Sequence, residues 1–370
     1  VGEAAFLDWG WRVPFLVSVL LLIVSVWLRF RLSESPAFTR LKEEGAVTKA
    51  PLREAFTRWD NLKRVLLAFF GIMCAQGAVW YCAFFYVQVF LTKSLGIPEP
   101  TKDALVLAMT AVSAPLYVFF GWLSDRVGRK PVMLGGMLLA LVAYFPGFHA
   151  MAGAANPALV EAQRSAPVIV YTDPARCSVQ FDPVGTRQFK TACDIAKGVL
   201  ANRGVSYATR ASSDGRTCVA VGRTCVAVEG GEHLSAAELK AHKESETKAI
   251  GALLAGAGYP DKADLSQANL GVIFFWLMIF AIAATALYGP QAAALVEMFP
   301  TRVRYTAMSF PYHVGTGWVG GFLPVTSFAL ATITGNIYQG LWYAVLFTGI
   351  SAIVSLLFLK ETRGKPLAAC

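Results

Sequence analysis

The stretch that decides the fold is Gly121–Lys130, GWLSDRVGRK, which lies between two long apolar runs. A connection this short and this basic predicts two membrane helices joined by a tight loop. Gly121 lets two helices approach closely, and Gly128 can turn the chain without a Cβ clash. Asp125 can cap a helix and accept charge-assisted hydrogen bonds from the arginines of the loop. A loop that is basic only because it is cytoplasmic would explain the arginines, but not an aspartate at this spacing between two glycines.

The composition is also that of a membrane protein. Hydrophobic residues make up 55% of the chain and charged residues 15%, which is far from a soluble domain of this length. A bilayer core about 30 Å thick requires about 20 helical residues. Seven apolar runs approach or exceed this length, the first of them with help from flanking arginines that snorkel: Val13–Leu28, Val65–Leu91, Ala104–Leu123, Pro131–His149, Leu270–Pro290, Ala307–Ile333 and Tyr338–Leu359.

Lysine and arginine crowd every second connection between these runs. Seventeen of them lie in four connections, against three in the other short ones: Arg29–Arg64, Arg126–Lys130, Arg302 with Arg304, and Lys360–Lys365. Cytoplasmic loops carry the excess of positive charge, so we expect these sides and the C-terminus to be cytoplasmic. The net charge of +9 reflects this bias. It does not indicate a nucleic-acid partner, because the basic residues are scattered over short loops, without the interleaved aromatics of a nucleic-acid groove.

The opening loop, with its pattern G-x-L-S-D-R-x-G-R-K, resembles the signature loop of the major facilitator superfamily, whose members move small solutes across membranes. Four further stretches are similar to the metabolite:proton symporter branch of that family. They correspond to its sixth span and following loop, its seventh span, its eleventh span with the preceding loop, and the end of its twelfth span: Gly10–Gly45, Gln76–Tyr86, Glu297–Pro324 and Lys360–Gly364. The resemblance implies twelve spans in two halves of six. It implies no enzyme activity, and the sequence suggests no cofactor and no metal.

We therefore expect an all-α integral membrane protein: a partial major-facilitator bundle of seven transmembrane helices with a small extracytoplasmic α+β insert. Residues 1–149 would hold spans six to nine, 150–268 the insert, and 269–370 spans ten to twelve with a cytoplasmic tail. The chain starts at Val1, just ahead of the sixth span. We interpret it as the C-terminal portion of a transporter in the cell (inner) membrane, with the missing N-terminal half as its partner.

The segment 150–268 differs sharply from the rest, with thirteen basic and twelve acidic residues. The pattern predicts strands at Pro167–Tyr171 and Ser206–Thr209, and helices at Thr191–Asn202 and Ser235–Ala255. The second helix opens with Ser235 followed by a glutamate three residues on, which is a capping box. We therefore expect a small folded module here, on the outer side of the membrane.

Four cysteines lie in this insert, and an outward compartment permits disulfides in any of three connectivities. Zinc is disfavoured because no C-x-x-C pair occurs. Two of the four lie in GRTCVAV at Gly215–Val221 and in its immediate repeat, Gly222–Val228. The repeat could form a hairpin, but we favour a duplication accident because nothing else in the chain repeats. The predicted disulfide is therefore Cys177–Cys193, whereas Cys74 and Cys82, inside a span, are expected to be packing residues.

Transport requires a polar site near the middle of the bilayer and two alternately closed gates. The candidates for the site are polar and aromatic side chains inside the spans: Gln76, Trp80, Tyr81, Gln88, Tyr288, Gln291 and His313. The family cavity is lined by spans seven and ten, so the resemblance favours those on these two spans. His313 stands out as an ionisable group well inside a span. For each candidate, the alternative is a hydrogen bond to a neighbouring helix or an anchor at the membrane interface.

Charged and glycine residues at the cytoplasmic side are the candidates for a gate: Gly121, Asp125, Arg126, Gly128, Arg129, Glu297, Arg302 and Glu361. The resemblance implies that the ends of spans eight, ten and twelve meet, so Glu297 would pair with Arg129 or Arg126. Asp125 and Glu34 resemble residues that reach across to the other half.

The sequence thus predicts secondary active transport of a small organic metabolite, a carboxylate or zwitterion, coupled to protons by alternating access. The coupling carboxylate would lie in the missing spans. A seven-span receptor or sensor with an outer ligand-binding module remains an alternative, but it would need a cytoplasmic output domain. A membrane-embedded enzyme would have only His313 as a catalytic candidate.

Overall fold

A computed structural model describes residues 2–31, 36–45, 48–213 and 215–364, so Glu34 and the end of the C-terminal tail lie outside the described residues. Seven helices are long and apolar enough to cross a membrane, as the sequence predicts. We label them as follows: TM1, Gly10–Arg31; TM2, Trp59–Ser94; TM3, Glu99–Val127; TM4, Arg129–Ala155; TM5, Leu270–Met298; TM6, Arg304–Thr334; and TM7, Leu341–Phe358.

Most spans are longer than the apolar runs that predict them. TM2 begins at Trp59 and includes Lys63 and Arg64, since charged residues can remain helical where the helix leaves the apolar core. TM4 continues past His149 to Ala155, so its last turns lie in the segment assigned to the insert. Three shorter helices precede TM2 in the chain: Glu3–Asp8, Pro36–Glu43 and Pro51–Thr57.

TM2 and TM6 are not uniform α-helices. TM2 contains three wider π-helical segments, at Phe69–Met73, Cys82–Tyr86 and Phe90–Ser94. TM6 consists of Arg304–Val314, a π-helical segment at Gly315–Gly320, and Leu323–Thr334. π-Bulges are rare and frequently mark functional positions in membrane and soluble helices alike, because they redirect side chains within one continuous helix.

The core of the bundle is formed by TM2 to TM7. TM5 packs against TM3 and TM4, while TM2 packs against TM6 and TM7. Large buried side chains such as Phe90, Tyr144 and Phe148 fill the centre. TM2 and TM6 approach so closely that a Cβ added at Gly77 would lie 2.3 Å from the carbonyl oxygen of Gly315. TM1 contributes no buried residue to this core.

The spans have a basic end and an insert end. At the basic end, Arg64 Nη1 in TM2 donates to the carbonyl oxygen of Met298 at the end of TM5, at 3.2 Å. Lys130 Nζ in TM4 donates to the carbonyl oxygen of Leu356 near the end of TM7, at 2.9 Å. The insert contacts the opposite ends of TM2 and TM6. Basic residues from separate connections, Arg64 and Lys130, therefore lie at the same end of the bundle, as the charge pattern predicts. The assignment of this end to the cytoplasm stays a prediction.

The insert is a four-stranded sheet with helices. Its strands are β1 (Val168–Thr172), β2 (Tyr207–Ala211), β3 (Thr217–Val221) and β4 (Thr224–Val228), in the order β2-β1-β3-β4. The pairs β1–β2 are parallel, and β1–β3 and β3–β4 are antiparallel. Its helices are α1 (Pro157–Ser165), α2 (Ala192–Asn202) and α3 (Ala236–Gly256), and the predicted capping box starts α3.

The tandem heptads form a hairpin. The first copy contains β3 and the second β4, and they pair antiparallel, with Val219 opposite Val226. The preference for a duplication without a structural role was therefore wrong. An alternating TCVAV segment has the period of a strand, and Gly222, with φ of +60°, provides the left-handed turn between two identical copies.

The insert is tied to the membrane bundle by backbone contacts. On β2, Tyr207 N donates to the carbonyl oxygen of Gly335, at 2.7 Å, just after TM6. The Tyr207 hydroxyl also donates to the carbonyl oxygen of Thr332. Asn156 Nδ2 donates to the carbonyl oxygen of Leu95, at 3.0 Å, just after TM2. The last carbonyls of TM6 thus find their partners in the insert.

Candidate functional site

Four spans bring aromatic side chains together in the bundle. Trp80 Nε1 in TM2 donates to the hydroxyl of Tyr117 in TM3, at 3.1 Å. The rings of Tyr117 and Tyr288 in TM5 meet edge to face, with centroids 5.4 Å apart. The hydroxyls of Tyr288 and Tyr312 in TM6 are 3.4 Å apart. We call Trp80, Tyr117, Tyr288 and Tyr312 the aromatic cluster; all four are only partly buried.

Two other predicted residues of TM2 face TM6 next to this cluster. Gln76 is almost fully buried, and its Oε1 accepts a hydrogen bond from Thr316 Oγ1 at 3.1 Å. Tyr81 packs against Gly320, where an added Cβ would lie 2.3 Å from its ring. Both side chains therefore join the two spans that contain π-helical segments, and for both a packing role is visible.

Of the remaining predicted residues, only His313 has a ring contact with the aromatic cluster among the described residues, through Tyr312. Gln88 Nε2 donates to the carbonyl oxygen of Phe84 in its own helix. Gln291 is 2% exposed, and its Oε1 has no hydrogen-bond partner among the described residues. His313 is exposed on TM6, with its ring edge to face against the neighbouring Tyr312.

At the basic end, the Arg129 guanidinium joins TM3, TM4 and TM5. Its Nη2 lies 3.2 Å from Glu297 Oε1, and both side chains are mostly buried, with 12% and 15% exposed. Its Nη1 lies 2.5 Å from Asp125 Oδ1, but that carboxylate is 65% exposed. The same Nη1 donates to Ser124 Oγ at 3.1 Å. The structure therefore pairs Glu297 with Arg129 rather than with Arg126.

Glu361, just after TM7, caps the start of TM4. Its two carboxylate oxygens accept hydrogen bonds from the backbone N–H groups of Arg129 and Lys130, each at 3.0 Å. A carboxylate is stabilised there by the unpaired N–H groups and by the helix dipole. Gly128, with φ of +110°, leaves room for it, since an added Cβ would lie 2.5 Å from Glu361 Oε2. We call Asp125, Arg129, Glu297 and Glu361 the charged cluster.

The environment of Glu361 changes its acidity. Burial raises the pKa of the carboxyl, but hydrogen bonds from four backbone N–H groups outweigh burial, and the net result is a lowered pKa. The neighbouring Thr362 adds a second connection, because its hydroxyl donates to Glu297 Oε2. TM4, TM5 and the segment after TM7 are thus joined through one continuous set of hydrogen bonds.

Three predicted gate residues have other partners. Arg126 stacks over the Trp122 ring, with its guanidinium carbon 4.1 Å from the ring centroid. Arg302 Nη2 lies 2.9 Å from Glu54 Oε2, on the short helix before TM2. Gly121 faces TM5, so it belongs to the helix contact rather than to the charged cluster.

In the insert, the structure joins Cys177 to Cys193, with 5.2 Å between their Cα atoms. It also joins Cys218 to Cys225 across the β3–β4 hairpin, with 6.0 Å between Cα atoms. The sequence analysis did not expect this second pair. Cys74 and Cys82 are buried and unpaired in TM2. Among the described residues, no group of His, Cys, Asp and Glu side chains is arranged to hold a metal ion.

Some members of these clusters were not predicted from the sequence. Tyr117 completes the aromatic cluster, and a signal for it existed: it lies four residues before Gly121, hence on the same helix face. Thr362 lies next to Glu361 in the tail that carries the family resemblance, but its contact with Glu297 could not be read from one sequence, because it joins residues far apart in the chain.

Seven spans, an intramembrane aromatic cluster and charge pairs at one end define a multi-pass helical membrane protein. A family model described as Major Facilitator Superfamily matches residues 1–162, and one described as Sugar (and other) transporter matches residues 247–370. The chain belongs to the major facilitator superfamily, a family of transporters rather than enzymes.

Several relatives are themselves named as metabolite transporters. The ectoine/proline transporter ProP of Corynebacterium glutamicum is 32% identical over 40% of this chain and 31% of its own length. The proline/betaine transporter of Escherichia coli K12 is 33% identical over the same shares. The glycine betaine/proline/ectoine/pipecolic acid transporter OusA of Dickeya dadantii is 21% identical over 99% of this chain and 51% of its own length. The alignment therefore covers about half the length of OusA and 31% of the length of the other two relatives. No solved structure matches it.

Proposed function

We propose that this chain forms the C-terminal half of a secondary transporter for small, net-neutral zwitterionic metabolites. The observation that carries the proposal is the aromatic cluster, in which four spans present ring faces and polar hydrogens to one place in the bundle. Aromatic faces attract a substrate ammonium group, and hydroxyl and indole N–H groups can donate to its carboxylate.

A zwitterion suits this site better than a bare carboxylate. The apolar runs of the spans contain no Asp, Glu, Lys or Arg. Without a fixed opposite charge, transfer of a net charge into the bundle is costly, whereas a substrate carrying both signs needs only local partners. The relatives named for proline, betaine and ectoine are consistent with this class.

The charged cluster would serve as part of the inner gate. It holds the ends of TM4 and TM5 and the segment after TM7 together, so these elements would move as one body while the other half of the transporter moves past them. Proton coupling and a location in the cell (inner) membrane, with the insert outside and the C-terminus inside, belong to the same proposal.

The test uses OusA, whose alignment covers almost all of this chain but half of OusA itself. The part of OusA that precedes its aligned region is fused ahead of residues 1–370, and uptake of labelled proline and glycine betaine is measured in cells lacking such transporters. We expect uptake to fall about tenfold or more in Trp80→Phe and Tyr288→Phe. Tyr305→Phe, at an 80% exposed position of TM6, is the matched control.

Unchanged uptake in Trp80→Phe and Tyr288→Phe, at equal surface expression, would refute the assignment of the aromatic cluster to the substrate. Coupling of transport to protons is measured in a separate experiment. If protons drive transport, uptake by the fusion protein should collapse with a protonophore and should respond to an imposed pH gradient.

A further inference from the structure

The disulfide of the insert lies at one edge of its sheet. Cys177 follows β1 and Cys193 is the second residue of α2, whose N-cap is Thr191. Because β1 and β2 are parallel and α2 connects them, the two sulfurs lie beyond the carboxyl end of β1. In open α/β sheets, the crevice at this edge is where ligands bind.

A cavity opens beside this disulfide, between the insert and the end of TM6. Its volume is about 380 Å³, which is within the range of sites for small molecules. The insert and TM6 both contribute side chains to it, among them Cys177, Ser178, Lys197, Thr209, Thr332 and Ile333. Cys177 is partly exposed, whereas Cys193 is 1% exposed. An incoming molecule would therefore meet the sulfur of Cys177.

Lys197 gives the cavity its charge. It is only 7% exposed, and it has no hydrogen-bond or ion-pair partner in the part of the chain that the structure describes. It lies four residues after Cys193, hence on the same face of α2. Burial lowers the pKa of Lys197, while the nearby carboxylate of Asp194 acts in the opposite direction. The Lys197 side chain lines the cavity without a direct carboxylate partner, so it would attract an anionic ligand.

The Asp194 carboxylate is already engaged with the loop that carries Cys177. It accepts hydrogen bonds from Ser178 N at 2.8 Å and from Ser178 Oγ at 2.7 Å. Gln180 Nε2 donates to the carbonyl oxygen of Asp194 at 2.7 Å. These bonds hold the loop against α2 independently of the disulfide. Reduction would therefore leave Cys177 beside Cys193, ready to be oxidised again.

We propose that Cys177–Cys193 is a reversible redox pair that exchanges with an anionic low-molecular-mass thiol bound in this cavity through Lys197. The thiolate of the ligand attacks Cys177 Sγ, the S–S bond breaks, and Cys193 leaves as a thiolate. The N-terminus of α2 stabilises the charge on the leaving sulfur, whereas Lys197 acts on the anionic ligand.

A second molecule of the same thiol completes the exchange. It attacks the ligand sulfur of the mixed disulfide, forming the ligand disulfide and releasing Cys177. Two thiols are thereby oxidised to one disulfide, the protein disulfide is reduced to two thiols, and the two thiol protons pass to the cysteine sulfurs. The step needs no reactant other than the thiol.

The experiment uses the oxidised full chain in lipid nanodiscs and reduced glutathione as the anionic probe. Free thiols are trapped with a maleimide over time, and each disulfide is quantified by mass spectrometry. In Cys193→Ser, glutathione introduced as its disulfide should accumulate on Cys177. In Lys197→Met, reduction of Cys177–Cys193 by glutathione should slow about tenfold, while reduction by neutral 2-mercaptoethanol stays within about twofold. Lys248→Met, at an exposed position of α3, is the control, and Cys218–Cys225 is an internal reference in every sample.

A measurement on the unaltered chain guards against misfolding of the variant. Glutathione should reduce Cys177–Cys193 faster than its dimethyl ester, which lacks the negative carboxylates, at equal thiolate concentration. Equal rates for the two, or a disulfide that resists excess glutathione until the protein is unfolded, would overturn the proposal and leave a purely structural staple.

Discussion

At the scale of single residues, the two carboxylates that contact Arg129, those of Glu297 and Asp125, show that burial determines how much an ion pair contributes. Arg129 forms short contacts with two carboxylates, but only Glu297 is mostly buried with it, whereas Asp125 is 65% exposed. An exposed ion pair contributes little to stability, because water and salt screen it. Loss of one partner from a buried pair leaves an uncompensated charge and costs far more.

We therefore expect Glu297→Gln and Arg129→Gln each to lower the free energy of unfolding by about 3 kcal/mol. The double variant should lose clearly less than the sum, by at least about 1 kcal/mol, because the two side chains interact directly. Asp125→Asn should cost less than about 1 kcal/mol. Denaturant titrations in one detergent would measure all four. Additive losses in the double variant would show that the two residues act independently.

Glu361 makes the stability of the basic end dependent on pH. Its pKa in the folded protein lies below the ordinary glutamate value of 4.5, so the carboxylate stabilises the fold fully above about that pH. The contribution is lost as the pH falls from about 4.5 through the folded pKa, since protonation removes the cap from TM4.

The stability difference between the unaltered protein and Glu361→Gln should thus be constant above pH 5 and shrink below about pH 4.5. Thermal unfolding from pH 3.5 to 7 would measure it. Glu161→Gln, at an exposed position of α1, is the matched control. A difference that grows on acidification would contradict the capping role.

At the scale of elements, the sequence was most informative where one property decides the structure. Length and hydropathy predict all seven spans, and the short runs Pro167–Tyr171 and Ser206–Thr209 predict β1 and β2 to within a residue or two at each end. Contacts between residues far apart in the chain were harder to predict from the sequence. His313 was predicted from its charge alone, but whether it faces the aromatic cluster depends on the rotation of TM6. That rotation follows from helix packing, which one sequence does not contain. The Tyr117 contact and the π-helical segments depend on packing for the same reason.

The contact between TM2 and TM6 can be tested through its glycines. At Gly77 an added Cβ would meet the Gly315 carbonyl at 2.3 Å, whereas at Gly317 it would meet nothing within 4 Å. We expect Gly77→Ala to destabilise the bundle by about 2 kcal/mol, because the two helices must separate. Gly317→Ala should be neutral or stabilising by up to about 1 kcal/mol, since alanine favours a helix. Equal effects of the two substitutions on the denaturation midpoint would refute the close packing.

At the scale of the whole molecule, the bundle and the insert are joined at one end and the charged cluster lies at the other. Tyr207 and Asn156 fix the insert to the ends of TM6 and TM2. The two ends of the bundle are therefore held differently: by hydrogen bonds to a folded module at the insert end, and by charged side chains at the basic end, among them the Arg129–Glu297 ion pair. Ion pairs can be exchanged between two states with little cost, which suits an element that must open and close.

The last prediction concerns the chain as a unit: residues 1–370 alone should bind to a membrane but not transport. Alternating access requires two bodies that move against each other around a central site. Here the aromatic cluster is only partly buried, and Val13–Arg31 of TM1 contains no buried residue, as expected if both face further helices. In proteoliposomes, the chain alone should show no more uptake of proline than protein-free vesicles, whereas the OusA fusion should accumulate it. Uptake by the unfused chain, saturable and abolished by Tyr288→Phe, would show that seven spans suffice.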